Sequence, residues 1–185
     1  MNEKPWYSDL VEGYAKRMAV YQEMLQENPL TFWLLWPIKG AVISQHFMAR
    51  PTYYAQYGLP GHEGTDFAMS WISLKKTEGQ PVLASAPGHV RVVDTVDNSN
   101  YGISIIIHHA QGFETTYAHL RDVIVQPDQA VQRGDVIGYA GNTGNSSGAH
   151  LHLNLKQKGN AAPGFKLDAR GYGIVNPETF LRKEK

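Results

Sequence analysis

The 185-residue chain contains no cysteine, which excludes disulfides, thiol nucleophiles and thiolate zinc sites together and leaves histidine and carboxylate as the available metal ligands. An excess of either charge is also missing: 17 Lys and Arg face 17 Asp and Glu. No long-range field therefore draws the protein to nucleic acid or to an anionic membrane, and neither is expected as a partner. Long apolar runs are absent too. The most apolar stretch, Leu30-Thr31-Phe32-Trp33-Leu34-Leu35-Trp36-Pro37, falls far short of the roughly 20 residues that cross a bilayer. It reads as core or docking surface, and no transmembrane segment is expected. The start, Met1-Asn2-Glu3-Lys4-Pro5-Trp6, lacks the basic, apolar and small-residue succession of a secretory signal, so the export route is not legible.

With 42% hydrophobic and 18% charged residues, the chain suits one globular domain with a sizeable core, expected as a monomer. From Ser8, an N-cap, the residues Leu10, Tyr14, Met18, Tyr21 and Leu25 recur at steps of four and three and predict one helix, which Asn28-Pro29 stops. Residues 1–29 are therefore set apart as a helical segment, a bracket or a partner-docking piece. After Pro37 the pattern changes to short β-branched runs separated by glycine and proline, such as Val90-Arg91-Val92-Val93 and Ile103-Ser104-Ile105-Ile106-Ile107. The expected fold for 30–185 is mainly β: a small antiparallel sheet or sandwich with a groove walled by loops. Gln111-Gly112 predicts a hairpin turn, and His119 is expected just past a strand end. The glycine-rich segment 140–149 lacks the Gly-Lys-Ser/Thr ending of a phosphate loop and leads into a strand pattern, so it reads as a groove wall.

Four of the eight histidines carry the chemistry. In a strand, positions i and i+2 share a face, so His150 and His152 look into one site while Leu151 and Leu153 face the core. His62 and Asp66 are four apart, but Pro60, Gly61 and Gly64 predict a loop entering a strand and not the helical His-Glu-x-x-His motif. Catalytic zinc takes three protein ligands and keeps a fourth position for water. Four histidines and one aspartate satisfy that and leave two imidazoles to manage protons and a developing oxyanion.

These motifs, in this order, resemble the lysostaphin/LytM-type zinc metallopeptidases, with their His-x-x-x-Asp, Tyr-Ala-His-Leu-like and His-x-His segments. The likeness runs over about residues 37–180 and includes Val82-Leu83-Ala84-Ser85-Ala86-Pro87-Gly88 and Val131-Gln132-Arg133-Gly134-Asp135. It implies that His62, Asp66 and His152 hold one Zn2+ per chain, and that His119 and His150 are the catalytic pair. It implies an endopeptidase that hydrolyses peptide bonds in the cross-links or stem peptides of bacterial peptidoglycan, acting in the cell wall, periplasm or outside the cell. Residues 30–185 would then be the metallopeptidase domain. Asn154 departs from the acidic residue that many relatives carry there, and the segment Ser70–Gly79 is longer than usual.

Two other classes share parts of this pattern. A non-catalytic wall-binding or hydrolase-activating protein of the same fold typically loses zinc ligands, and this chain keeps all of them. A biotinyl- or lipoyl-type carrier would need a lysine at a hairpin tip, and none is suitably placed. His46, His89, His108 and His109 are expected to be structural or surface residues. Asp94, Asp97, Glu114, Asp122 and Asp128 are expected mostly in turns or on the surface. Tyr53, Tyr54, Tyr57 and Trp71 are groove or packing residues.

Overall fold

The computed structural model describes residues 32–70 and 74–183. The helix expected between Ser8 and Leu25 lies outside these residues, as does Trp71. What is described is mainly β, as expected. The strands are β1 (Leu34–Leu35), β2 (Val42–Gln45), β3 (Thr65–Ala68), β4 (Pro81–Leu83), β5 (Gly88–Asp94), β6 (Ile103–His108), β7 (Phe113–Val123), β8 (Ala130–Val131), β9 (Val136–Ala140), β10 (Leu151–Lys158), β11 (Tyr172–Val175) and β12 (Leu181–Arg182). One short helix, α1 (Pro51–Tyr54), follows β2.

The main sheet runs β2-β3-β10-β7-β6-β5-β8, with β11 added to β10 and β9 joining β4 to β7. Its pairings are antiparallel; the parallel contact is the separate pair β1 and β12. The period-2 pattern decides which face each residue takes. Along β10, Leu151, Leu153 and Leu155 are fully buried in the core with Phe67 of β3 and Tyr117 of β7. Each such leucine contributes about 1.5–3 kcal/mol through apolar burial. His152 and Asn154 take the opposite face.

One edge of β10 is shared. Residues Leu151 to Leu153 pair with β3, and Leu155 to Lys158 pair with β11. On the other edge β7 follows β10 as far as the pair His152 and Ala118, and then turns to β9, beginning with Leu120 opposite Ala140. The sheet therefore opens between Ala118 and Leu120, and residues 141–150 bridge the opening from the end of β9 to the start of β10. His119 stands at this parting of the strands. The expectation that it lies past a strand end is corrected: it lies within β7, at φ 61°, where the ladder is irregular.

Gln111 and Gly112 have positive φ in the turn between β6 and β7, as the hairpin reading requires. Glu114 departs from the surface expectation. It is buried in β7, where both its carboxylate oxygens are held by the Arg170 guanidinium at 2.8 and 2.9 Å, and Oε1 also meets Arg91 at 3.0 Å. Two arginines compensate the cost of burying that charge.

Candidate metal centre and active site

Antiparallel register assembles the first two side chains. Asp66 of β3 is the direct partner of His152 of β10, and side chains of directly opposed residues lie about 5 Å apart at Cβ. His62 comes from the loop before β3. The chain can make this entry because Gly64 passes against the His152 ring, where a Cβ would sit 2.6 Å from His152 Cε1 and 2.6 Å from the Leu153 carbonyl oxygen.

The three side chains are buried and converge on one point. His152 Nδ1 is 2.9 Å from Asp66 Oδ1, His62 Nε2 is 3.2 Å from the same oxygen, and the two imidazole nitrogens are 3.0 Å apart. His62 Nδ1 donates to the His46 carbonyl at 3.1 Å, so in the neutral ring Nε2 presents its lone pair to a carboxylate that also has only lone pairs. One hydrogen on His152 Nδ1 cannot satisfy both contacts. A cation can, and two imidazoles with one carboxylate are a donor set suited to a borderline divalent metal. His152 Nε2, on the far side of the ring, is buried with no hydrogen-bond partner among the described residues. Burial would push the Asp66 carboxyl up, but the hydrogen bonds and charges of His152 and His62 outweigh it and hold the group well below the usual carboxylate range.

His119 and His150 stand beside this cluster, with ring centroids 4.7 Å apart. His119 Nδ1 donates to the Thr143 carbonyl at 2.8 Å, and His150 Nδ1 donates to the Gly148 carbonyl at 2.7 Å. Each ring therefore keeps Nε2 free, and His150 Nε2 lies 3.7 Å from Asp66 Oδ2. The left-handed backbone of His119 costs about 1–2 kcal/mol for a non-glycine residue. It is held by the bond from its own N–H to the Tyr101 carbonyl, 2.8 Å, and by the ring's bond to Thr143. Burial, with the His150 and His152 imidazoles nearby, pushes His119 down to about 3, so the ring is neutral near pH 7. All five residues expected from the sequence are thus gathered at the floor of one groove of about 330 Å³.

Several supporting residues were not visible in the sequence. Glu178, beyond β11, accepts from His46 Nδ1 at 2.9 Å, from the Phe47 N–H at 2.7 Å and from Thr65 Oγ1 at 3.1 Å. It ties the loop carrying His62 to the start of β3. Tyr101 donates its hydroxyl to Glu63, and Asn154 donates to the Glu63 carbonyl at 3.0 Å. Burial, then the adjacent Glu63 charge, raises Tyr101 well above its ordinary value, so it remains a donor. Tyr54 stacks obliquely on His62 with centroids 5.3 Å apart and accepts from Gln45 at 2.8 Å. Of the aromatics expected near the groove, Tyr54 and Tyr57 line it. Asn145, Ser146 and Ser147 also line it, in the segment read from sequence as a groove wall.

Residues 60–163, more than half of the 185, match the sequence profile of Peptidase family M23. The chain belongs to that family. The metallopeptidase resemblance carried by the three histidine motifs is thereby borne out. The M23 chain is 36% identical over 126 residues to the peptidoglycan DD-endopeptidase ShyA of Vibrio cholerae, a match covering 68% of this chain and 27% of ShyA. It is 33% identical over 132 residues to the murein hydrolase activator NlpD of Escherichia coli, covering 71% of this chain and 30% of NlpD. Among solved structures, a zinc-containing peptidase from Vibrio cholerae aligns with a TM-score of 0.61 at 27% identity, over 80% of this chain and 40% of that one. The chain thus spans between a quarter and a third of the length of these two curated relatives.

Proposed function

We propose that this M23 protein is a zinc-dependent endopeptidase that hydrolyses peptide bonds in bacterial peptidoglycan, in its cross-links or stem peptides. The observation that carries the reading is the convergence of His62 Nε2, Asp66 Oδ1 and His152 Nδ1 within 3.2 Å of one another, beside two further imidazoles. In this reading those three residues are the ligands of one zinc ion per chain. When bound, zinc supplies Lewis-acid polarisation of the scissile carbonyl and acidifies water.

The chain's own residues do the rest. The Nδ1 protons of His119 and His150 are committed to backbone carbonyls, so each Nε2 is the nitrogen available to the substrate. One Nε2 accepts the proton of the attacking water. Once protonated, it can donate to the tetrahedral oxyanion or return the proton to the leaving amine. Burial at the groove floor strengthens each of these contacts by keeping bulk water away. The groove walls hold the peptide, and the lining residues Gln45, Asn100, Asn145 and Ser146 supply amide and hydroxyl groups suited to a peptide backbone. Peptidoglycan lies outside the membrane, so the site of action is the periplasm, cell wall or exterior. No helix among the described residues is long and apolar enough to cross a membrane.

The similarity to NlpD supports a second reading, a non-catalytic activator of other hydrolases. The two readings differ in one experiment with no other enzyme present. Purified cross-linked muropeptide dimers are incubated with the zinc-loaded protein and with protein held in chelator. Conversion of dimer to monomer by the zinc-loaded form alone supports catalysis. An unchanged dimer, together with accelerated digestion when a second murein hydrolase is added, supports the activator.

A further inference from the structure

The groove has an uneven charge distribution. Of its lining side chains, Arg50 is the one lysine or arginine. The two lining carboxylates are already engaged, Glu63 by the Tyr101 hydroxyl and Asp66 by imidazoles. Among the described residues no carboxylate pairs with Arg50; its guanidinium lies over the Tyr53 ring, 4.7 Å from the centroid. That ring is in turn packed edge-on by Tyr54 at 5.2 Å and by Tyr57 at 5.9 Å. The backbone is fixed as well. Arg50 precedes α1 in a left-handed conformation, and its carbonyl accepts from the Tyr53 and Tyr54 N–H groups at 3.0 and 3.2 Å.

An arginine held by stacking keeps its planar fork of donors free and loses less side-chain entropy when it binds. Its partner of choice is a planar anion, taken by two parallel hydrogen bonds. The other groove walls carry neutral amides, hydroxyls and a single leucine, which suit a peptide backbone but select no charge.

We infer that Arg50 is a specificity-determining residue that reads a free carboxylate on the peptide substrate, close to the scissile bond. This rests on the proposed peptidase reading and narrows it: the preferred substrates are acidic peptides, and amidation of that carboxyl makes them poor ones. Arg50 acts on binding, not on the reacting atoms, so its loss raises KM and leaves kcat nearly unchanged.

The test uses the full 185-residue chain, zinc-loaded, and two synthetic stem-type peptides that differ only in whether the carboxyl beside the scissile bond is a free acid or a primary amide. A charge-assisted bidentate pair is worth roughly a tenfold preference or more. The wild type is expected to cleave the acid about tenfold more efficiently, through KM, with the preference shrinking as salt is raised. Arg50→Gln brings the acid-to-amide ratio close to one by raising KM for the acid alone, and Arg50→Glu reverses it. Thermal melting confirms that each variant is folded. A wild-type ratio near one, or an Arg50→Gln variant that keeps the wild-type ratio, overturns the inference. If neither peptide is cleaved, the peptidase reading fails separately, and fluorescence anisotropy with labelled versions of the same peptides still decides. Acid-selective binding lost in Arg50→Gln supports the role of Arg50, and equal binding of both peptides by the wild type overturns it.

Discussion

The backbone carbonyl of His46 accepts the Nδ1 proton of His62 at 3.1 Å, which fixes the tautomer and the direction of the other ring nitrogen. His46 is itself held by Glu178, whose carboxylate also takes the Phe47 N–H and the Thr65 hydroxyl. Outer groups of this kind orient metal-binding histidines and typically change affinity by about 10- to 100-fold. Glu178→Ala is therefore expected to weaken zinc binding by roughly tenfold, measured by competition with a chromophoric chelator. Glu178→Gln, which keeps one acceptor, falls between. Unchanged affinity in both would show that His62 is positioned without this tie.

The five site residues separate by what their loss removes. His152→Ala or Asp66→Ala is expected to abolish stoichiometric zinc binding and activity together. His119→Ala or His150→Ala is expected to keep much of the zinc and to lose roughly 100-fold or more in hydrolysis, the scale of a lost general base or oxyanion donor. Zinc content by mass spectrometry and the rate on muropeptide dimer give the two readouts. Full zinc retention in the Asp66 variant contradicts the ligand assignment.

Gly64 is required by contact, not by backbone angle. A Cβ there meets the Leu153 carbonyl oxygen at 2.6 Å and His152 Nε2 at 2.7 Å, and neither can move without disturbing the pairing of β3 with β10. Gly64→Ala should destabilise the fold by about 1–3 kcal/mol, the usual cost of overpacking, and should also weaken zinc binding. Urea unfolding in chelator isolates the first effect from the second.

Acid should destabilise the metal-free protein in two stages. Burial holds His109 down to about 4 from 6.5; it donates to the Pro87 carbonyl at 2.9 Å and accepts from Thr115 at 2.7 Å. As pH falls below 6.5 the unfolded chain takes up a proton that the folded chain refuses, so stability declines until about pH 4, by on the order of 3 kcal/mol. Burial would raise Glu114, but its bonds to His108 and Arg170 and the Arg91 charge hold it down at about 2. Its contribution is present above 4.5 and is lost as pH falls toward 2. His119, held down to about 3 by burial, acts in the same window, so His109→Gln should shrink the first stage without abolishing it and leave the second, as followed by urea midpoints at pH 7, 5 and 4 in chelator.

The parts of this architecture legible in the sequence are those set by local period. Alternation at Leu151, His152 and Leu153 placed two leucines in the core and the histidine at the site. The glycines around His62 marked a loop running into a strand. Contacts made by distant segments were not legible. Nothing near Glu178 marks it as a partner of His46, 132 positions away, because only the closed fold brings them together. The left-handed backbone of His119 follows from β7 exchanging one neighbouring strand for another, a feature of sheet topology with no local signature. Glu114 resembles a surface acid until Arg91 and Arg170 are brought to it. The helix expected before Asn28 falls outside the described residues.

The activity proposed for the imidazole and carboxylate cluster is metal-dependent hydrolysis of peptidoglycan. Its most direct test is the release of soluble fragments from purified peptidoglycan by the zinc-loaded protein, with and without chelator, and the identification of new amino termini by mass spectrometry. Release is expected to stop in chelator, to return with zinc and to expose one defined type of new amino terminus. No release by fully zinc-loaded, folded protein across several wall chemistries would contradict it.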